Sequence, residues 1–389
     1  MMLIFFDEGN RANFFPLTLT RPTADLRIGI LKISEKWQRY FTESKCAYKT
    51  APYLSTKFAF NTEEKNIFIN GSVCPDEQLA AAINNLQQGQ ALFKNNVLIA
   101  LPLNNTNAQA FSENDLGIYE RIDYELDILN VNYPEDIFKN NHIALNADFE
   151  LLTKGKTSAT LSSTNTIIGN KIFVEEGVEA ECSTFNTQNG PIYLGKNSQV
   201  WEGTNIRGGL ALCHDSQIKM GAKIYGATTI GPHSRVGGEI NNSVIWGYSS
   251  KGHDGFLGNS VLGEWCNIGA DSNNSNLKNN YAEVKLWSYE TQRFRKTGLQ
   301  FCGLIMGDHS KCSINTMFNT GTVVGVSANI FGTGFPRNFV PDFSWGGAHG
   351  YEVYSLIKMF ETASMVYPRR DRVFNDEEKA ILAHIFENR

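Results

Sequence analysis

The residues most able to do chemistry stand in Ser250-Lys251-Gly252-His253-Asp254-Gly255-Phe256-Leu257-Gly258, where a histidine is set among glycines. Glycine lets a backbone approach a ligand closely, and imidazole is the usual general base near neutral pH. His253 is therefore the candidate base, weighed against a histidine that only packs. Metal chemistry is the rival, because zinc enzymes use clustered histidines. No two of the seven histidines (142, 214, 233, 253, 309, 349, 384) lie within fifteen residues of each other, so such a cluster would need residues that stack, with His233 and His253 as the pair considered. Cys266, beside Asn267, could be a nucleophile, but a small packed thiol is the plainer reading.

A repeat positions these residues. Leu194, Val200, Ile206, Leu212, Ile218, Ile224, Ile230 and Val236 recur every six residues, a period that belongs to neither a helix nor a simple alternating strand. Four residues after each of them the side chain is usually small, as at Ser198, Thr204, Ser216, Ala222, Thr228 and Ser234. This pattern predicts a solenoid whose coil is a triangle with three six-residue sides and a narrow interior of alternating large and small residues, so any site lies outside it. The register slips by two near 238–244 and resumes as Val244, Phe256, Leu262 and Ile268, with Ser250 between; after a break it returns at Met306, Cys312, Phe318, Val324 and Ile330.

The rest of the chain divides around that repeat. Residues 1–150 mix short apolar runs with helical spacing and predict a compact α/β domain that ends in a connecting arm from about Val131. Residues 151–340 are the solenoid domain, interrupted at 271–301 by an insertion that turns basic and aromatic (Lys285, Trp287, Tyr289, Arg293, Phe294, Arg295, Lys296) and is expected to project over a neighbour or a ligand. Residues 341–389 predict two helices that cap the open end.

Composition limits the function classes. Among 389 residues, 35 basic and 40 acidic side chains give a net charge of -5, which offers no field for a phosphate polymer, so nucleic acid is not expected as a partner. No apolar run reaches the length of a membrane span, and the opening Met1–Phe6 meets Asp7 without a basic flank, as a buried strand would. Seven scattered cysteines without a Cys-x-x-Cys pair predict neither a disulfide framework nor a zinc knuckle, and a cytoplasmic location.

His253-x-x-x-Leu257-Gly258, Asn267-Ile268-Gly269-Ala270 and Asn276 resemble the acetyltransferase half of the bifunctional UDP-N-acetylglucosamine pyrophosphorylase/glucosamine-1-phosphate acetyltransferases. Gly307-Asp308, Phe318 and Val324-Gly325 continue in register, and Leu17–Arg27, Asp148–Thr153, Met220–Gly226 and Asn273–Lys278 extend the resemblance over nearly the whole chain, as in a shorter bacterial variant. The resemblance implies a left-handed parallel β-helix of hexapeptide repeats behind an α/β nucleotidyltransferase-like domain, assembled as a homotrimer with acetyl-coenzyme A in the grooves between subunits. It makes His253 the base that takes a proton from a sugar amine, Lys251 and Arg235 the holders of a sugar phosphate, and Asn267 and Asn276 contacts to the amino sugar or the acyl group. The implied acceptor is glucosamine 1-phosphate, with another amino sugar or a nucleotide-linked one open. Two departures stand out: Phe256 occupies the place of a family tyrosine, and the segment between Arg235 and His253 is short.

At the amino terminus, the strand Leu3–Phe6, then Asp7-Glu8-Gly9-Asn10-Arg11, Pro16-Leu17-Thr18 and Arg21-Pro22, resemble a worn nucleotidyltransferase signature. This makes Gly9, Arg11 and Arg21 candidate contacts to a nucleotide such as UTP, with Mg²⁺ where the domain is active. Asp25, Asp123 and Asp136 are all open as metal ligands. A catalytically silent domain that packs the trimer is the competing reading.

Overall fold

The computed structural model describes every residue but Glu8, and leaves the side chains of Glu113, Asn114 and Asp115 aside. The chain forms two compact units, the first from Met1–Phe14, Thr20–Arg27 and Leu31–Asn132, the second from Phe15–Leu19, Ile28–Ile30 and Tyr133–Arg389.

In the first unit a six-stranded sheet runs in the spatial order Lys45–Lys49, Met2–Phe6, Lys65–Asn70, Val97–Asn104, Gln90–Lys94, Glu120–Asp123. Met2–Phe6 is apolar throughout because it is buried along its whole length and parallel to both neighbours, the pattern of a strand covered on both faces. The chain leaves it first to one side and later to the other, so its carboxyl end opens at a topological switch point, where α/β sheets take ligands. The helix Ile33–Tyr40 packs through Trp37, whose indole N–H donates to the Val73 carbonyl at 2.8 Å.

The second unit is a three-sided parallel β-helix. The first face stacks Ile192–Leu194, Leu210–Leu212, Thr228–Ile230, Val244–Ile245 and Val261–Leu262, the second Gln199–Val200, Gln217–Ile218, Arg235–Val236, Ser250–Lys251 and Asn267–Ile268, and the third Asn205–Arg207, Lys223–Tyr225, Glu239–Asn241 and Phe256–Gly258. The aliphatics of the sixfold series form one buried column of core, and Ser198, Thr204, Ser216, Ala222, Thr228 and Ser234 are buried with them. Successive coils turn the first-to-second corner through left-handed residues, Asn197, Asp215, His233, Tyr248, Trp265 and His309. Asn, Asp and His tolerate that conformation best.

The register differs from expectation beyond Val236. The corner Gly237–Gly238 has two residues where Lys219–Ala222 has four, and Thr229 and Ile230 pair with Val244 and Ile245. The inward residues are therefore Ile245, Lys251 and Leu257, not Val244, Ser250 and Phe256.

The expected arm from Val131 is two helices, Pro134–Lys139 and Asn141–Thr153, that belong to the second unit. Asp148 and Asn141 accept the backbone N–H groups of Ile30 and Gly29 at 2.7 Å each. The insertion forms a hairpin, Lys285–Ser288 with Arg293–Lys296, that folds back on its own solenoid instead of projecting. Trp287 stacks on Phe339 at 4.4 Å, Tyr289 is half-buried and donates its hydroxyl to Asp342 at 3.3 Å, and Arg295 forms a two-pronged pair with Glu135 at 2.5 and 2.6 Å. The helices Leu356–Val366 and Asp376–Glu387 do not cap the end. The turn between them lies along the first-to-second corner, where Tyr367 stacks on Trp265 at 3.8 Å and Arg370 donates to the His233 carbonyl at 3.1 Å. The last coil ends instead in the antiparallel pair Ser344–Gly347 and Gly350–Val353.

Candidate functional site

His253 lies on the four-residue corner Gly252–Gly255, which carries the chain from the second face to the third, and its side chain is exposed. The short corner beneath makes room for it. A Cβ on Gly237 would stand 2.8 Å from the Gly252 carbonyl oxygen, and one on Gly238 2.8 Å from the Cα of Asp254. Both glycines are thus required by the backbone that rides over them. The ring of His253 makes no hydrogen bond among the described residues and points into solvent from the edge of the prism, the position a base needs to reach a substrate amine.

Lys251 is placed otherwise than expected. It occupies an inward position, is 1% exposed, and donates its ammonium to the carbonyls of Gly237, His253 and Asp254 at 3.1, 2.5 and 3.2 Å. A lysine spent on three carbonyls does not hold a sugar phosphate; it pins the corner that presents His253. Burial pushes it down to about 8, against the attraction of Asp254, Cys312 and Asp271. Its unfolded value is near 10.4, so between about pH 8 and pH 10.4 the unfolded chain binds more protons. Stability from this group therefore rises with pH through that window, by at most about 1.4 kcal/mol per unit, and the gain is absent below it. Lys251→Met is expected to lose about 1–3 kcal/mol near neutral pH by leaving the carbonyls unpaired. Urea denaturation at pH 7.5 and 9.5 checks both effects: the gap between wild type and variant should widen at the higher pH.

Arg235 and Asn267 are exposed on the second face and share one outward column, Arg235 opposite Ser250 and Ser250 opposite Asn267. At about 4.8 Å per coil they flank the level of His253. Asn276 lies at the far end of the strand Phe256–Gly258, its amide donating to Asn259 at 2.8 Å. The ring of Phe256 covers the surface between, since a Cβ on Gly258 would meet its Cζ at 2.5 Å and the Asn276 amide nitrogen at 2.7 Å. The structure thus gathers His253, Arg235 and Asn267 about one edge, with Asn276 a strand away. Cys266 is packed inside, its thiol pushed up by burial. His233 belongs to the first-to-second corner and His253 to the next one, so the two do not stack.

In the first unit the loop after Met2–Phe6 is built around Asp7. Its carboxylate accepts from the Thr23 backbone at 2.7 Å and from the Thr50 hydroxyl, and Arg11 approaches it at 3.4 Å. Arg11 also donates to the Tyr53 hydroxyl at 2.6 Å. Gly9 is exposed and a side chain there would meet nothing within 4 Å, so neither packing nor φ requires the glycine. Glu8, the second acidic residue of the signature, lies outside the described residues. Arg21 is buried and faces Asp25 at 3.4 Å, and Asp25 takes Lys32 at 2.9 Å. Asp123 pairs with Arg121, and Asp136 accepts the Tyr133 backbone N–H at the start of its helix. Each of the three aspartates considered for Mg²⁺ thus already has a partner within its own unit.

The chain thus carries a unit built on an α/β sheet with its loop at a switch point and a unit that is a hexad-built β-helix with an outward imidazole. Residues 3–157 match the family model of sugar nucleotidyl transferases, and the chain is similar to bifunctional GlmU proteins. It is 25% identical over 197 residues to the bifunctional protein GlmU of Synechococcus elongatus, covering 48% of this chain and 39% of that protein. With the bifunctional protein GlmU of Methanocaldococcus jannaschii it shares 31% over 87 residues, 22% of this chain and 21% of that one. The chain therefore spans less than half the length of these relatives. Among solved structures it is similar to LpxA, a UDP-N-acetylglucosamine acyltransferase from Bacteroides fragilis, at 14% identity and a TM-score of 0.28, over 58% of this chain and 96% of that one. No helix of the described residues is long and apolar enough to cross a membrane.

Proposed function

We propose that the second unit transfers an acetyl group from acetyl-coenzyme A to the amine of an amino-sugar phosphate, glucosamine 1-phosphate being the first acceptor to test, in the synthesis of a nucleotide sugar. The observation that carries this reading is the solvent-facing His253 on a corner that two glycines and a buried lysine hold in place. The amine nitrogen attacks the thioester carbonyl, His253 takes the proton that nitrogen sheds, and the C–S bond breaks as the imidazolium gives that proton to the leaving sulfur, releasing coenzyme A as its thiol. Such a transfer needs orientation, a base and oxyanion donors, and no covalent enzyme intermediate. Arg235, exposed in the neighbouring column, supplies the charge for the sugar phosphate in place of Lys251, and Asn267 offers an amide on the same face.

A homotrimer fits the same edge. Met220, Ile314, Phe331 and Phe335 are 64%, 65%, 40% and 51% exposed along the second-to-third corner, and another copy of the chain would cover such a row of apolar residues. For the first unit, the family match supports nucleotidyl transfer with Mg²⁺, whereas the engagement of Arg21 with Asp25 favours the second reading, a silent domain. A screen of amino-sugar phosphates with acetyl-coenzyme A, read by thiol release, tests the transferase. Pyrophosphate release from UTP and a sugar 1-phosphate, with and without Mg²⁺, decides between the readings of the first unit. Absence of thiol release with every amino sugar would remove the acetyltransferase assignment.

A further inference from the structure

We propose that His214, Asp215 and His233 form a binding site for one divalent transition-metal ion, of which Zn²⁺ is the type, at the first-to-second corner of the β-helix. The site is independent of the acetyl-transfer reading and lies on a different corner from His253. One ligand atom from each of the three residues falls within 4.8 Å of the others. His214 Nδ1 is 2.9 Å from Asp215 Oδ2, and His233 Nε2 is 3.9 Å from the same oxygen. Donors at zinc bond lengths of about 2.0–2.2 Å in a tetrahedral shell stand about 3.4 Å apart. The two separations from Asp215 Oδ2 lie on either side of that value.

The solenoid explains why these donors meet. Asn197, Asp215 and His233 occupy the same left-handed position in consecutive coils, with φ of 56°, 55° and 57°. Backbone bonds lock the stack, from Asp215 N–H to the Lys196 carbonyl at 2.9 Å and from His233 N–H to the His214 carbonyl at 3.1 Å. One coil thus supplies His214 and Asp215 and the next supplies His233, so a bound ion would staple two coils. The flanking residues orient the donors as outer-shell groups do in metal sites. The Asn197 amide donates to Asp215 Oδ1 at 3.2 Å and leaves Oδ2 to the imidazoles. The ring of Tyr248 stacks on that of His233 at 5.1 Å and 9°. With three protein ligands, a fourth position stays open to water or a small anion.

The charges nearby select the kind of ion. Arg370 and Arg372 act on His233 with positive charge, which disfavours an ion held by field alone, as Mg²⁺ and Ca²⁺ are. Two imidazoles and one carboxylate suit a borderline ion that forms directed bonds to nitrogen. Chelator-stripped full-length protein should take up one Zn²⁺ per chain in competition with a chromophoric chelator, ignore Mg²⁺ and Ca²⁺, and give a visible Co²⁺ spectrum of low coordination number. His233→Gln and Asp215→Asn should each weaken Zn²⁺ binding at least about tenfold, with melting profiles of the metal-free proteins as the check on folding. His214→Gln, an exposed position, replaces either variant that does not fold. Failure of the wild type to bind stoichiometrically, equal affinity in the variants, or loss of binding only in Cys182→Ser, at the exposed cysteine, would overturn the site.

Discussion

Replacement of His253 by alanine is expected to lower acetyl transfer by a factor of about 10² or more while the protein keeps its fold and melting temperature. The two halves of that expectation have separate grounds. The side chain is exposed and holds no hydrogen bond among the described residues, so its removal opens no cavity and strands no buried partner. Its backbone does the structural work, because the His253 carbonyl takes the Lys251 ammonium at 2.5 Å, and alanine preserves that carbonyl. A structural role for the ring would therefore appear in the melting curve, and a catalytic one in thiol release. Lys251→Met separates them further, because it loosens the corner but keeps the imidazole, and so should lower stability while thiol release persists. Equal rates for wild type and His253→Ala would end the assignment of this residue as the base.

How far the sequence led can be judged at particular residues. The column from Leu194 to Val236 was legible because one rule, an aliphatic every six residues, acts alone there and each residue is buried as the rule requires. The rule failed at Lys251 since a lysine inside a narrow tube contradicts hydrophobic periodicity, and only the carbonyls of Gly237, His253 and Asp254, brought together by a shortened corner, make it tolerable. The glycine pair at 237–238 was the available signal: two adjacent glycines at a corner announce a tight turn, and a tight turn shifts everything after it. His253 was legible as an interruption among glycines. The cluster of His214, Asp215 and His233 is hidden in the sequence because the inward column alone reveals the coil length, and the donors meet only at the corners, where the same length aligns Asp215 with His233. The docking of the insertion and the course of the final helices were likewise out of reach, since both depend on which outer face of the solenoid is apolar, at Phe339 and at Trp265, and a six-residue period describes only the inside.

The largest loss of stability is expected from Arg295→Met, at about 3–5 kcal/mol. Glu135 is 3% exposed and accepts both guanidinium nitrogens of Arg295, while the same guanidinium lies 3.9 Å over the ring of Tyr133. Planar guanidinium matches a carboxylate in two parallel bonds and a ring by stacking, which lysine cannot do, so Arg295→Lys should also be deficient. Methionine keeps the apolar stem but leaves a carboxylate in a nearly dry site, and the cost is that of an unpaired buried charge more than of a lost bond. It follows that the second substitution should act against the first. Glu135→Leu combined with Arg295→Met removes both charges and should recover much of the loss, because well-packed apolar replacements of a buried pair are often neutral or better. Urea denaturation of the wild type, the single variant and the double variant measures this directly. A double variant as unstable as the single one would place the cost in the packing of the hairpin, where Trp287 lies on Phe339 and Tyr289 reaches Asp342, and not in the stranded carboxylate.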